Sequence, residues 1–312
     1  MENMKSPRVA YGEALVELGN KNEKVVVLDA DLAHATQTAM FAERFKNRFF
    51  NMGIAEQNLM GVAAGLSMAG FIPFASTFAI FGAGRGFEQI RNSICYPNFL
   101  NVKIAVTHSG ITVGEDGGSH QSVEDISLMR TLPGMTVLVP CDAVETKKAV
   151  FAAAKINGPV YIRIARPVAP IITAEDDEFE VGKARVLREG NDIAIFATGL
   201  MVATALEAAQ DLEQKGIEAS VVNVHTIKPL DVETILNFAG KAGKVITVEE
   251  HSIIGGLGSA VAEVLSENLP LRMKRIGVSD IFGQSGAPEE LMRHYGLTAE
   301  NIARTAWEMV EG

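Results

Sequence analysis

The stretch Phe49-Phe50-Asn51-Met52-Gly53-Ile54-Ala55-Glu56-Gln57-Asn58, a small-residue segment, and then Pro73-Phe74-Ala75-Ser76-Thr77-Phe78-Ala79-Ile80-Phe81 decides how the chain reads. It begins as a strand (48–51), passes through an alanine- and glycine-rich helix (56–69), and continues as an extended piece (71–74) ahead of another helix (81–94). Strands alternating with helices are the signature of a parallel sheet. A single carboxylate, Glu56, stands at the head of the first helix. An acid there has a simple reading, because the free N–H groups of a first turn carry partial positive charge. Gly53, Gly61, Gly65 and Gly70, with the alanines between them, imply tight backbone approach to something else. A carboxylate in such a place is shielded from water and can hold a proton near neutral pH. Phe78 and Phe81, spaced i and i+3, are read onto one helical face, either as core or as a stacking wall for a planar ring.

The alternation extends in both directions. Apolar strands are expected at 25–28, 102–107, 136–139 and 160–164, with helices at 8–19, 38–45, 123–130 and 143–157. Pro167, Pro170 and the acidic cluster Glu175, Asp176, Asp177 and Glu178 then shift the composition toward that of a linker. A second alternation follows, with strands at 192–198, 219–223, 244–249 and 273–278 and helices at 201–215, 232–242, 259–268, 288–295 and 298–310. The fold class is therefore two consecutive α/β domains with mainly parallel sheets. The division places a first domain at 1–167, a linker at 168–182 and a second domain at 183–312.

A chain of 312 residues with 47% hydrophobic content can bury two cores. A net charge of −10 and a pI near 5.2 argue against nucleic-acid or anionic-membrane partners. Cys95 and Cys141 are too few for a disulfide framework and fit a reduced interior. No apolar run approaches the ~20 residues of a membrane span, and residues 1–7 hold no signal-peptide core. A soluble, cytoplasmic protein is expected.

The loop Gly114-Glu115-Asp116-Gly117-Gly118-Ser119-His120-Gln121 follows the strand that ends at His108. Ligands bind at the carboxyl ends of strands in open α/β sheets. The spacing of His108, Asp116 and His120 matches no zinc pattern, so acid/base or hydroxyl-binding roles stand against a plain solvated loop. Arg163 and Arg166, at the end of the last strand of the first domain, suit an anionic substrate group such as a phosphate. Gly255-Gly256-Leu257-Gly258-Ser259-Ala260-Val261 lacks the third glycine of a dinucleotide fingerprint and reads as a tight turn. Glu249, Glu250 and His251 are adjacent in a strand and so point to alternate faces. No metal-ligating set is predicted anywhere in the chain.

Together these segments resemble the carboxyl-terminal half of transketolase. The likeness is carried by residues 50–58, by Pro73-Phe74-Ala75-Ser76-Thr77-Phe78, by Thr107-His108 with Gly114-Glu115-Asp116-Gly117, and by Ile164-Ala165-Arg166-Pro167. Thr226-Ile227-Lys228-Pro229-Leu230-Asp231, Val248-Glu249-Glu250-His251 and Gly255-Gly256-Leu257-Gly258 continue it through the second half. The resemblance implies a pyrimidine-binding domain for thiamine diphosphate followed by the family's carboxyl-terminal domain. By it, Glu56 is the glutamate that protonates N1′ of the aminopyrimidine and favours its imino tautomer, and Phe81, with Phe78 beside it, stacks on that ring. His120 would hold the donor's C1 hydroxyl and carbonyl end, Asp116 its C2 hydroxyl region, and His108 with Arg166 its terminal phosphate; Glu56 and His120 are the catalytic pair. The implied activity is transfer of a two-carbon ketol unit from a ketose phosphate to an aldose phosphate, the chemistry of the pentose phosphate pathway.

Three departures qualify the likeness. Gly84 stands where some members carry a third aromatic. Ala35 falls where the family has a phosphate-holding serine, with Thr36 beside it as a candidate replacement. The diphosphate domain, with its Gly-Asp-Gly and distal asparagine for Mg²⁺, has no counterpart in the sequence. That implies a split enzyme whose separate N-terminal subunit supplies Mg²⁺ or a similar divalent ion, expected as a heterotetramer of two plus two subunits. The alternatives are 1-deoxy-xylulose-5-phosphate synthase, which carries an arginine where Ser109 stands, the beta subunit of a 2-oxo acid dehydrogenase, and a non-catalytic subunit of the same fold.

Overall fold

The computed structural model describes residues 4–97 and 99–312. In chain order its first six long-sheet strands are β1 (Val25–Asp29), β2 (Phe49–Asn51), β3 (Ile72–Phe78), β4 (Lys103–Thr107), β5 (Thr136–Leu138) and β6 (Val160–Arg163). They lie side by side as β5-β6-β4-β3-β1-β2, all parallel. β1, β4 and β6 are buried at every position, because parallel strands are covered on both faces. Val25, Val27 and Phe74 face the helices Pro7–Lys21 and Ala143–Lys155. Val26, Leu28 and Ala75 face the opposite way, onto Leu59, Met60 and Ala63 of the helix Glu56–Met68.

The later strands are β7 (Arg185–Arg188), β8 (Ile193–Ala197), β9 (Ala219–Asn223), β10 (Thr226–Lys228), β11 (Lys244–Ser252) and β12 (Arg272–Val278). Five of them form a second sheet in the order β12-β11-β8-β9-β7, parallel except for the edge strand β7. β10 leaves its own half and pairs antiparallel with β5, becoming the seventh strand of the first sheet. The expected fold class, two α/β domains with mostly parallel sheets, is what the chain adopts. Among the described residues, no helix is long and apolar enough to cross a membrane.

Two local expectations are corrected. The extended piece at 71–74 runs on to Phe78, so Phe78 closes a strand rather than sharing a helix with Phe81. The helix at 81–94 contains two π-helical stretches, Phe81–Arg85 and Ile90–Cys95, around a short α segment, Phe87–Gln89. Gly82 permits this: a Cβ there would stand 2.9 Å from Val106 Cγ1, so only glycine lets the wide turn rest on β4. The segment read as a linker makes contacts of its own with the first half. Ala169–Pro170 pairs with Met4–Lys5, and Asp142 Oδ2 accepts from the N–H groups of Ile172 and Thr173 at 2.8 and 2.7 Å. A Cβ added at Gly61 or Gly65 would meet no atom outside their own helix within 4 Å among the described residues, so the space beside them is open to a group from outside the chain.

Candidate active site

β3 ends at Phe78, β4 at Thr107 and β6 at Arg163, which brings the residues just beyond them to one edge of the sheet. His108 is held at φ 58°, a left-handed conformation that a non-glycine residue keeps only where its surroundings demand it. Its Nδ1 lies 2.8 Å from Thr107 Oγ1. The ring stacks on Phe78 with centroids 3.8 Å apart, and Phe78 lies 5.7 Å from Phe81, nearly parallel to it. His120 comes edge-on to Phe81 at 5.2 Å and to Phe78 at 6.4 Å. Phe78, Phe81, His108 and His120 therefore form one cluster. One face of Phe78 is taken by His108, so Phe78 joins the two ends of the site.

Glu56 is 4% exposed, on the first turn of its helix. Its Oε1 accepts from Arg85 Nη1 at 3.1 Å, and the same guanidinium lies 4.3 Å over the ring of Phe81. Ala55, Glu56, Gln57, Asn58 and Arg85 line a depression there. A guanidinium is flat and rich in N–H groups. Toward Glu56 and Phe81 it makes the two contacts that a flat, N-protonated ring makes: an N–H donated to the carboxylate and a face laid on the aromatic. The pair thus offers one carboxylate and one aromatic face, the two contacts a planar nitrogen heterocycle would use. Sequence reasoning missed Arg85; its position four residues beyond Phe81 was the available signal.

The other end of the cluster holds two guanidiniums. Arg166 donates to Val113 O and lies 3.7 Å from Glu115 Oε2 and 3.9 Å from Asp116 Oδ2. Arg8, which the sequence did not single out, donates from Nη1 to Ala35 O at 2.9 Å, while its Nε is buried without a partner among the described residues. Burial, and then the charges of Arg8, Arg166 and His120, push the His108 imidazole down to about 3. A neutral imidazole, two guanidiniums and an orphaned N–H suit an oxyanion. Arg8 sits in the first turn of Pro7–Lys21, far from the other site residues in sequence, and only the tertiary fold reveals its proximity.

Three candidates belong elsewhere. Thr36 is fully buried and donates its hydroxyl to Asp29 Oδ2 at 2.7 Å, so it cannot replace the serine missing at Ala35. Arg163 is buried, with Nε 2.8 Å from Asp125 Oδ2 and Nη2 3.0 Å from Glu250 O, and binds no external anion. At the glycine turn, Glu249 accepts from the N–H groups of Leu257 and Gly258 at 2.7 and 2.8 Å, filling the helix terminus that a nucleotide phosphate needs.

Residues 4–170 match the family described as transketolase, pyrimidine binding domain, and residues 182–302 match transketolase, C-terminal domain. The chain belongs to the transketolase family. It is 52% identical over 309 residues to a protein of Methanocaldococcus jannaschii called putative transketolase C-terminal section, covering 97% of this chain and 96% of that one. It is 46% identical to the 6-deoxy-6-sulfo-D-fructose transketolase subunit SqwH of a Clostridium species, over 97% and 94% of the two chains. A solved structure described as split gene transketolase, inactive beta4 tetramer, superposes with a TM-score of 0.92 at 56% identity, covering 98% of each chain. The transketolase of Campylobacter jejuni, at 22% identity, shares the fold with a TM-score of 0.84 over 47% of its length.

Proposed function

We propose that this chain is the carboxyl-terminal subunit of a split transketolase, active only with a separately encoded N-terminal subunit. The Glu56–Arg85–Phe81 arrangement carries the reading, because it offers a flat ring one carboxylate and one aromatic face. Thiamine diphosphate bound there would supply a nucleophilic carbon for ketol transfer. Glu56 holds the proton at the ring nitrogen, and Phe81, backed by Phe78, bears the ring face. His120 holds the C1 hydroxyl and carbonyl end of a ketose phosphate such as xylulose 5-phosphate, and Asp116 its C2 hydroxyl region. His108, Arg166 and Arg8 hold the terminal phosphate, taking over the work of the serine missing at Ala35.

The partner supplies Mg²⁺ or a similar divalent ion and covers the open side of Gly61 and Gly65, in a heterotetramer of two plus two. The names of two relatives, a split-gene protein and a transketolase subunit, support this division. Two buried free cysteines accord with a reduced, cytoplasmic setting. Against the deoxyxylulose phosphate synthase reading, Ser109 is buried and donates to Ile164 O at 3.2 Å, leaving no cation at that position. The test is to purify the chain with and without its partner and assay ketol transfer from xylulose 5-phosphate to ribose 5-phosphate. Thiamine-dependent turnover is expected of the pair; turnover by this chain alone rejects the split.

A further inference from the structure

The loop 114–121 carries Asp116 and His120 but takes its shape from the other half of the chain. Gln121 is 3% exposed, and its Nε2 donates to Ile111 O at 3.0 Å and to Gln284 O at 2.9 Å. Its Oε1 is buried without a partner among the described residues, a cost that an apolar side chain of the same size avoids. What the amide contributes is the tie between Ile111 O, just ahead of the loop, Gly114 O at its start (3.5 Å), and Gln284 O in segment 279–287, beyond β12. The backbones on either side are cut to match. A Cβ on Gly118 would stand 2.6 Å from Gly283 O, and a Cβ on Gly283 would overlap Gln121 Oε1. The front of the loop is fixed by Glu250, whose Oε1 accepts from Thr112 N–H at 2.7 Å.

We propose that Gln121 is a positioning residue: it locks loop 114–121 onto segment 279–287, so that the carboxyl-terminal domain sets where Asp116 and His120 meet the ketose phosphate. The identity of that donor rests on the transketolase reading. The lock itself is tested on the isolated chain by hydrogen exchange. Gly283→Ala is expected to speed exchange within 114–121 and 279–287 and to leave the helix Glu56–Met68 unchanged; unchanged exchange in both segments overturns the lock. In the reconstituted pair, Gly283→Ala is expected to raise the donor KM about tenfold, with kcat within about threefold and thiamine diphosphate affinity unaltered. An unaltered KM, or loss of KM, kcat and cofactor affinity together, overturns the positioning role. Gln121→Met serves in both assays if Gly283→Ala does not fold. Combining Gln121→Met with Gly283→Ala is expected to be no worse than the poorer single variant, because both act on one contact; effects that multiply reject it. If the wild-type pair transfers no ketol unit, the functional reading fails while the exchange data still decide the lock.

Discussion

Replacing Glu56 by glutamine keeps its shape and removes its ability to give up a proton. In the reconstituted enzyme, Glu56→Gln is expected to lower ketol transfer by roughly 10²- to 10⁴-fold, the usual worth of a positioned acid or base. Activity equal to wild type would return Glu56 to the role of a helix-end acid. Arg8→Ala removes a cation beside His108 and is expected to raise the KM for a phosphorylated donor by roughly 10- to 100-fold, with little effect on an unphosphorylated ketose. Steady-state kinetics with both donors separate the two. At this scale the sequence marked candidates where they sit in contiguous motifs, as Glu56, His108, Asp116 and His120 do. Arg8 escaped it because a lone arginine carries no local signal, and Arg85 because its spacing from Phe81 was the one mark it left; folding sets Ala35 O and Arg166 beside the first, Glu56 and Phe81 beside the second.

Among the elements, buried parallel strands were legible from their unbroken apolar runs, as at Val25–Asp29 and Ile193–Ala197. The π-helical stretches were not, because a widened turn has the same composition as an ordinary helix. The helix Ala143–Lys155 carries a pH signature of its own. Glu145 is buried, and burial pushes its carboxyl up to about 7 even though Cys141 N–H and Asn223 Nδ2 donate to it. The folded state thus binds a proton between pH 4.5 and about 7 that the unfolded chain has lost. This contribution to stability is complete below pH 4.5 and disappears as pH rises through about 7. Glu145→Gln should flatten that fall, which urea unfolding at pH 5 and pH 7 measures. The amide can be accommodated, since Asn223 Oδ1 is buried without a partner among the described residues and a flipped Asn223 presents it.

Across the whole molecule, the two halves share a buried polar seam. Arg163 binds Asp125 from within the first sheet and reaches Glu250 O on β11, while Asp125 also accepts from Tyr161 at 2.7 Å. Arg163→Met leaves the Asp125 carboxylate buried without its cation and is expected to cost about 3–5 kcal/mol. Denaturant unfolding checks this, and a loss below about 1 kcal/mol would mean that water replaces the guanidinium. The sequence marked Arg163 as an arginine at a strand end but could not show which way it pointed. Arg166, three residues on and beyond the strand, lies against the loop 114–121 instead.

The crossing of β10 onto β5 also bears on how the chain is made. A nascent first half has its strands in hand once residue 163 is synthesised, but its β5 edge stays open until Thr226–Lys228 emerges. Until then the edge is a row of unpaired N–H and C=O groups, open to any other strand nearby. A fragment ending at residue 182 keeps that edge for good and is expected to aggregate at concentrations where the full chain remains dispersed, as light scattering can show. The second half thus completes the sheet of the first before any cofactor is involved.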